Sequence, residues 1–268
     1  MRLVIFTDLD GTLLDHDTYD WRPAAPMIAR LRDQGSPLVF VTSKTRAEVA
    51  VLRAEMGVDE PFIVENGAAA FFPERYGRLD LPEAVPIGAF RALVFGRPYT
   101  EARDFAASVR GRFGLEGFGD MSVEEIAEVT GLPLEAAKRA KQREFTEPFR
   151  LEDDRELDRL AAAARDHGFR ITTGGRLHHL MGSDQDKGIA VRAVRDAFGR
   201  ALGARPTTVG LGDGPNDVPM LDAVDEAVLV PAPGRPLPEV RNDHVHVAPA
   251  PGPEGWAAAL SKILGSVR

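Results

Sequence analysis

Short apolar runs separated by helix-length segments limit most strongly how this chain folds. LVIF (3–6), PLVFVTS (37–43) and PFIV (61–64) have strand length and little polar alternation. Strands that read this way are buried on both faces, as in a parallel sheet covered by helices on either side. Between them, PAAPMIARLRDQG (23–35) carries prolines where a helix starts and Gly35 where one stops. TRAEVAVLRAEMG (45–57) also has helical spacing. The alternation returns late: DKGIAVRAVRDAFGRALG (186–203) predicts a helix, TTVGLG (207–212) a strand and NDVPMLDAV (216–224) a helix. AVLV (227–230) and HVHVA (244–248) follow as short strands, and GWAAALSKIL (255–264) as a closing helix. The expected class is α/β, with a Rossmann-like parallel-sheet core.

The middle of the chain differs. RALVFG (91–96) and FRITTGGRLHHLMG (169–182) read as strands with turns, and three helical segments lie between them. Ser122 and Glu125 have capping-box spacing at the start of one of these. A block of this size supports its own core. Residues 84–182 are therefore expected to form an α+β domain inserted into a core made of 1–83 and 183–268. The Pro-rich stretches 231–239 and 248–255 read as surface loops.

Composition narrows the function. Of 268 residues 44% are hydrophobic, so a large core is available and a mainly disordered chain is excluded. No apolar run nears the ~18 residues of a membrane span, and MRLVIFTD lacks a signal-peptide layout. There is no cysteine, which removes disulfide and thiol chemistry and fits a cytoplasmic location. The net charge is −8 without a basic stripe, so nucleic acid is not an expected partner and a small molecule is. Lys and Arg total 33 but only five are lysine, which makes Lys44 and Lys187 conspicuous.

Four polar stretches fall where strands of the α/β part are expected to end. They are Asp8-Leu9-Asp10-Gly11-Thr12, Thr42-Ser43-Lys44-Thr45, Asp186-Lys187-Gly188 and Gly212-Asp213-Gly214-Pro215-Asn216-Asp217. Ligands of open parallel sheets bind at the carboxyl ends of the strands, so the fold gathers all four into one crevice. A carboxylate attacking a phosphate dianion there meets a repulsion of ~4 kcal/mol per unit-charge pair at 4 Å and an effective dielectric near 20. Two carboxylates and a phosphoryl group therefore need positive charge. A cation resolves this, and Asp8, Asp10 and Asp213 offer the hard oxygen ligands that Mg²⁺ prefers. Lys187 supplies a point charge and Ser43 a hydroxyl, while Gly11 and Thr12 present backbone N–H groups to the same phosphoryl oxygens. The set suits phosphoryl transfer.

DLDGT, TSKT, DKG and GDGPND, in this order, resemble the four motifs of the haloacid dehalogenase-like hydrolases. The block between Ser43 and Lys187 resembles that superfamily's second type of cap domain. The resemblance implies that Asp8 attacks phosphorus to form an aspartyl-phosphate, while Asp10 protonates the leaving alcohol and then activates water. It also implies Mg²⁺ held by the Asp8 carboxylate, the Asp10 main-chain carbonyl and Asp213, with Asn216 and Asp217 supporting the metal water or Lys187. More narrowly, SKTRAE (43–48), VENGAA (64–69), REFTEPF (143–149) and GGRLHHLMGSDQDKG (174–188) resemble the mannosyl-3-phosphoglycerate phosphatases. The implied substrate is a small phosphorylated glycosyl-glycerate. Its carboxylate and hydroxyls call for arginine, amide and backbone partners. Glu65, Asn66, Gly67, Arg143, Arg170, Gly174, Gly175, Arg176, His179 and Ser183 are the expected substrate contacts, with Lys44 near the phosphate. Other sugar-phosphate phosphatases (of the glucosyl-3-phosphoglycerate or sucrose-phosphate type), a phosphomannomutase-like mutase and a non-catalytic phosphosugar-binding module stay open. Oligomeric state is not legible.

Other polar clusters have plainer readings. Asp15, Asp17 and Asp20 lack the later Glu of an EF-hand and read as a solvated loop. His178 and His179 are adjacent on an expected strand, so only one faces the site, and His179 is the choice. His244 and His246 read as the polar face of a strand. Neither cysteines nor an HxxxH helix supports zinc.

Overall fold

The structure is a computed structural model that describes residues 3–74, 76–77, 79–174 and 177–266. In chain order the first part comprises β1 (Leu3–Thr7), α1 (Ala25–Asp33), β2 (Leu38–Val41), α2 (Arg46–Met56), β3 (Phe62–Val64), β4 (Ala69–Pro73), β5 (Val85–Ile87) and β6 (Phe90–Val94). Then come α3 (Tyr99–Phe113), β7 (Leu115–Gly117), α4 (Val123–Thr130), α5 (Leu134–Ala140), β8 (Glu147–Leu151), α6 (Leu157–Asp166), β9 (Phe169–Gly174) and β10 (Leu177–Gly182). The chain closes with α7 (Lys187–Leu202), β11 (Thr207–Gly212), α8 (Val218–Leu221), β12 (Glu226–Leu229), β13 (Val245–Val247) and α9 (Gly252–Ser266).

Among the described residues, nine strands form one sheet in the order β13-β12-β11-β1-β2-β3-β4-β6-β5. The six strands from β13 to β3 run parallel, as their unbroken apolar sequences require. Alternate residues of β1 enter opposite cores. Leu3 and Ile5 pack with α1, α2 and α9 around Trp256, and Val4 and Phe6 pack with α7 and α8. Phe40 and Val39 of β2 divide in the same way. From β1 the order runs to β2 and β3 on one side and to β11, β12 and β13 on the other. The β1/β11 boundary is therefore the switch point of the sheet, where a crevice opens at the strand ends.

Beyond β3 the sheet turns antiparallel. Glu65 and Asn66 take positive φ values of 49° and 58°, and Gly67 follows at 88°. This tight reversal makes β3 and β4 an antiparallel pair, and β6 and β5 continue the edge. The inserted block was expected to begin at residue 84, yet residues 85–87 and 90–94 belong to the large sheet. Their apolar side chains complete its edge, and Phe90 packs edge-on against Phe62 and Phe71.

The second sheet, β7-β8-β10-β9, is antiparallel. One face carries Phe149, Phe169 and Leu180 into a core closed by α3 and α6. A smaller cluster joins Leu177 to Ile126 of α4 and Ala137 of α5. The Ser122–Glu125 capping box forms at the start of α4. Cross-strand pairing puts Arg170 opposite Met181 and Thr172 opposite His179. By the strand's twofold alternation these residues share the face turned away from α3 and α6, toward the large sheet. No helix among the described residues is long and apolar enough to cross a membrane.

Candidate active site

The site grows from the ends of β1 and β11. Asp8 is the first residue past β1, and its N–H still donates to the Leu211 carbonyl at 2.9 Å, which fixes it beside the neighbouring strand. The chain then folds back through Gly11, whose φ of 79° is left-handed. A Cβ on Gly11 would lie 2.8 Å from Asp213 Oδ2, so only glycine admits that carboxylate here. Thr12 Oγ1 donates to the other oxygen of Asp213 at 3.3 Å. The two carboxylates expected to share a cation thus come from adjacent strands and a glycine turn.

Lys187 opens α7 and is buried. A cation at a helix N-terminus faces the positive end of the dipole, and here two carboxylates offset that. Lys187 Nζ lies 2.6 Å from Asp8 Oδ1 and 2.6 Å from Asp217 Oδ1. The other Asp217 oxygen accepts the N–H groups of Asp213 and Gly214, each at 3.0 Å. Asp217 therefore holds the loop after β11 and steadies the lysine together. Burial disfavours the ammonium charge, but Asp217 and Asp8 hold Lys187 above its usual range. Lys44 is likewise held charged against burial by Asp10, 2.8 Å away, and by Glu48.

The acidic groups carry the opposite strain. Burial, then the charge of Asp217, raises Asp8 well above the carboxylate range, although Lys187 opposes this. Asp213 is pushed up to about 7, by burial first and by Asp217 second. Oxygens of Asp8, Asp213 and Asp217 all lie within 4.8 Å of one another. Both Asp217 oxygens are already engaged, so Asp8 and Asp213 are the donors left for a cation. Hard carboxylate oxygens, negative charge in excess and a turn only glycine permits fit Mg²⁺.

Asp8 and Asp213 line a cavity of about 380 Å³ between the two sheets. Of the residues expected from sequence, Asp8, Asp10, Ser43, Lys44, Arg143, Gly174, His179, Asp213 and Asn216 line it. Burial, with Arg143 next, lowers His179 to about 3, so the ring is neutral, and its Nδ1 has no partner among the described residues. His178 lies on the other face and meets Thr173 and Asp154. Sequence reasoning missed His16, Tyr19 and the apolar side formed by Phe118, Leu132 and Leu177. The helix signal at α4 was visible, but not the site it would face.

Three expected contacts are not made. Glu65 is fully buried, and its carboxylate accepts the N–H groups of Glu144, Phe145 and Thr146 at 2.8, 3.2 and 2.8 Å. It also takes the Thr146 hydroxyl and pairs with Arg143 at 3.2 Å, so no oxygen is left for ligand. Gly67 is pressed against α7, where a Cβ would lie 2.1 Å from the Asp186 carbonyl oxygen, so its role is close approach. Ser183 lies past the end of β10, exposed and bonded to Asp184. Gly175 and Arg176 lie outside the described residues. Asn66 and Arg170 line a smaller neighbouring cavity.

Known proteins resemble this chain in sequence and in fold. The family model described as haloacid dehalogenase-like hydrolase matches residues 5–77. A protein of Persephonella marina called glucosyl-3-phosphoglycerate/mannosyl-3-phosphoglycerate phosphatase is 45% identical over 265 residues, 99% of this chain and 98% of the relative. A protein of the same name from Methanococcoides burtonii is 41% identical over 269 residues, with the same coverage. The solved structure of a Thermoplasma acidophilum protein superposes with a TM-score of 0.71 at 18% identity, covering 98% of this chain and 99% of that one, which shows a shared fold. The chain belongs to the haloacid dehalogenase-like hydrolases. Among them it is a phosphoric monoester hydrolase.

Proposed function

We propose that this protein releases phosphate from mannosyl-3-phosphoglycerate, and from its glucosyl counterpart, through an aspartyl-phosphate on Asp8. The observation that carries the reading is the Asp8 carboxylate, pinned 2.6 Å from Lys187 at the floor of a cavity of about 380 Å³ under the second sheet. Relatives 45% and 41% identical over nearly the whole chain, named for the two glycosyl-3-phosphoglycerates, support the substrate class. We read residues 95–182 as the cap that closes over the substrate.

Lys187 engages one oxygen of Asp8 and leaves the other to attack phosphorus. The Asp8–phosphorus bond forms as the ester bond breaks, and Asp10 gives its proton to the leaving oxygen. Lys44 sits against one Asp10 oxygen, so the other handles the proton. In the second half Asp10 takes a proton from water, the water oxygen bonds phosphorus, and Asp8 is freed with inorganic phosphate. Ser43, half-buried at the cavity wall, offers a hydroxyl to the phosphoryl oxygens. Mg²⁺ would be held by Asp8 and Asp213, with the Asp10 main-chain carbonyl as the family resemblance implies. It would supply the positive charge that lets a carboxylate meet a phosphate dianion.

The test is phosphate release from mannosyl-3-phosphoglycerate, glucosyl-3-phosphoglycerate and glucose 6-phosphate, each with Mg²⁺ and with EDTA. Metal-dependent release that favours the two glycosyl-glycerates supports the proposal. Release from glucose 6-phosphate alone keeps the chemistry and rejects the substrate. No release from any ester favours a mutase.

A further inference from the structure

A second cavity of about 170 Å³ lies beside the catalytic one, walled by Asn66, Arg170, Thr172, Met181, Lys187 and Asn216 among others. Asn216 borders both cavities. Its amide donates to Asn66 Oδ1 at 3.2 Å, and a Cβ on Gly174 would lie 3.1 Å from its Nδ2, so the strand β9 closes tightly against it.

Two donors on this wall are unused. Asn66 is 2% exposed, and its Nδ2 has no hydrogen-bond partner among the described residues; the same holds for buried Nε of Arg170. Buried N–H groups in folded proteins are nearly always paired, so the two together point to a missing acceptor. The Lys187 ammonium is already held by Asp8 and Asp217, which leaves the Arg170 guanidinium as the cation of the described wall. The described wall carries no carboxylate, so the acceptor it suits is an anion. Proline, isoleucine and methionine side chains complete the lining beside these polar groups.

We propose that this cavity is the subsite for the substrate's carboxylate, with Asn66 Nδ2 and Arg170 Nε as its donors. The assignment rests on the proposed function and deepens it. In a 3-phosphoglyceryl ester the carboxyl carbon is four bonds from phosphorus, so the carboxylate and phosphate sites must adjoin. Lys187 supplies that adjacency, since its ammonium holds Asp8 while the residue also lines the side cavity. The glycosyl group on the middle carbon then turns into the larger cavity, beside His179. Arg143 is the weaker candidate for reading the carboxylate, because its guanidinium already bonds Glu65, Thr146 and the Ser43 carbonyl.

The variants are Arg170→Met and Asn66→Asp; aspartate tolerates the left-handed backbone of residue 66 and replaces the donor with negative charge. Each is assayed on mannosyl-3-phosphoglycerate and on the same ester with its carboxylate reduced to an alcohol. The expected result is a KM raised ~10–100-fold for the carboxylate substrate and a rise at least ~10-fold smaller for the reduced ester, so that each variant loses discrimination between the two. Titration calorimetry with free glycerate gives a second readout: the wild type binds it and both variants bind it at least ~10-fold more weakly. Equal KM increases on both esters, or unchanged KM and glycerate affinity, overturn the proposal. Weaker inhibition by inorganic phosphate with an unchanged KM assigns the cavity to released phosphate and overturns it too. If the wild type does not hydrolyse mannosyl-3-phosphoglycerate at all, the functional reading fails, and the glycerate titration still decides the subsite.

Discussion

Replacing Glu65 with Gln tests how the second sheet is held over the catalytic floor. The Glu65 and Arg143 side chains are 0% and 3% exposed, and their pair is closed by three backbone N–H groups and the Thr146 hydroxyl. An amide at this position sets an NH₂ against donors on whichever side it faces and leaves the arginine charge buried without its partner. Breaking one side of a buried pair costs ~3–5 kcal/mol. At about 2–4 °C per kcal/mol for a chain of this size, the thermal midpoint should fall by at least ~6 °C. Adding Arg143→Met to Glu65→Gln should cost little more, because the stranded charge is removed with its side chain. Arg143 Nη1 also donates to the Ser43 carbonyl at 3.1 Å, so loosening it disturbs the loop that carries Ser43 at the cavity wall. Turnover of a small ester such as p-nitrophenyl phosphate should therefore fall with stability. Urea and thermal unfolding of the single and double variants read the energies. A Glu65→Gln protein within ~1 kcal/mol of wild type would refute the reasoning.

Three further outcomes follow from the site. Lys187→Met removes the ammonium shared by Asp8 and Asp217 and should lower kcat ~10²–10³-fold; steady-state kinetics with intact circular dichroism checks it. Gly11→Ala drives a methyl into Asp213 and forces a left-handed backbone on alanine, so the Mg²⁺ concentration for half-maximal rate should rise ~10–100-fold. The third concerns pH. Asp213 is pushed up to about 7 without metal, from 3.8, so the metal-free fold binds a proton there that the unfolded chain releases. That contribution is present at low pH and is lost as pH rises from about 4 through 7. Mg²⁺ competes with the proton, so its shift of the unfolding midpoint should be larger at pH 8 than at pH 5.5; an equal shift counts against a shared site.

The catalytic floor was legible because its residues sit at sequence positions the fold treats alike. Asp8 and Asp213 each follow a buried parallel strand, and Lys187 opens the helix that leads to the second of those strands. The family resemblance of GDGPND pointed Asn216 and Asp217 to the metal water or to Lys187, and Asp217 lies on Lys187. The cap was harder. Alternation along β10 turns His179 inward, and the strand ends at Gly182 as its sequence suggests, but nothing local shows that Ser183 faces solvent. Glu65 had the chemistry of a ligand residue, and only the long-range approach of residues 144–146 spends its carboxylate. The antiparallel edge was hidden because Asn66-Gly67 is ordinary turn chemistry, whereas the positive φ at Glu65 comes from the packed context. The missed short helix α5 has the length of two turns, too little for periodicity to register.

The central claim is that Asp8 carries the phosphoryl group. Its most direct measurement is acid quench of a single turnover with ³²P-labelled mannosyl-3-phosphoglycerate, followed by peptide mapping. Label on the Asp8 peptide in the wild type, and none in a folded Asp8→Asn variant without turnover, is the predicted result. Turnover by Asp8→Asn, or label on another residue, would contradict it.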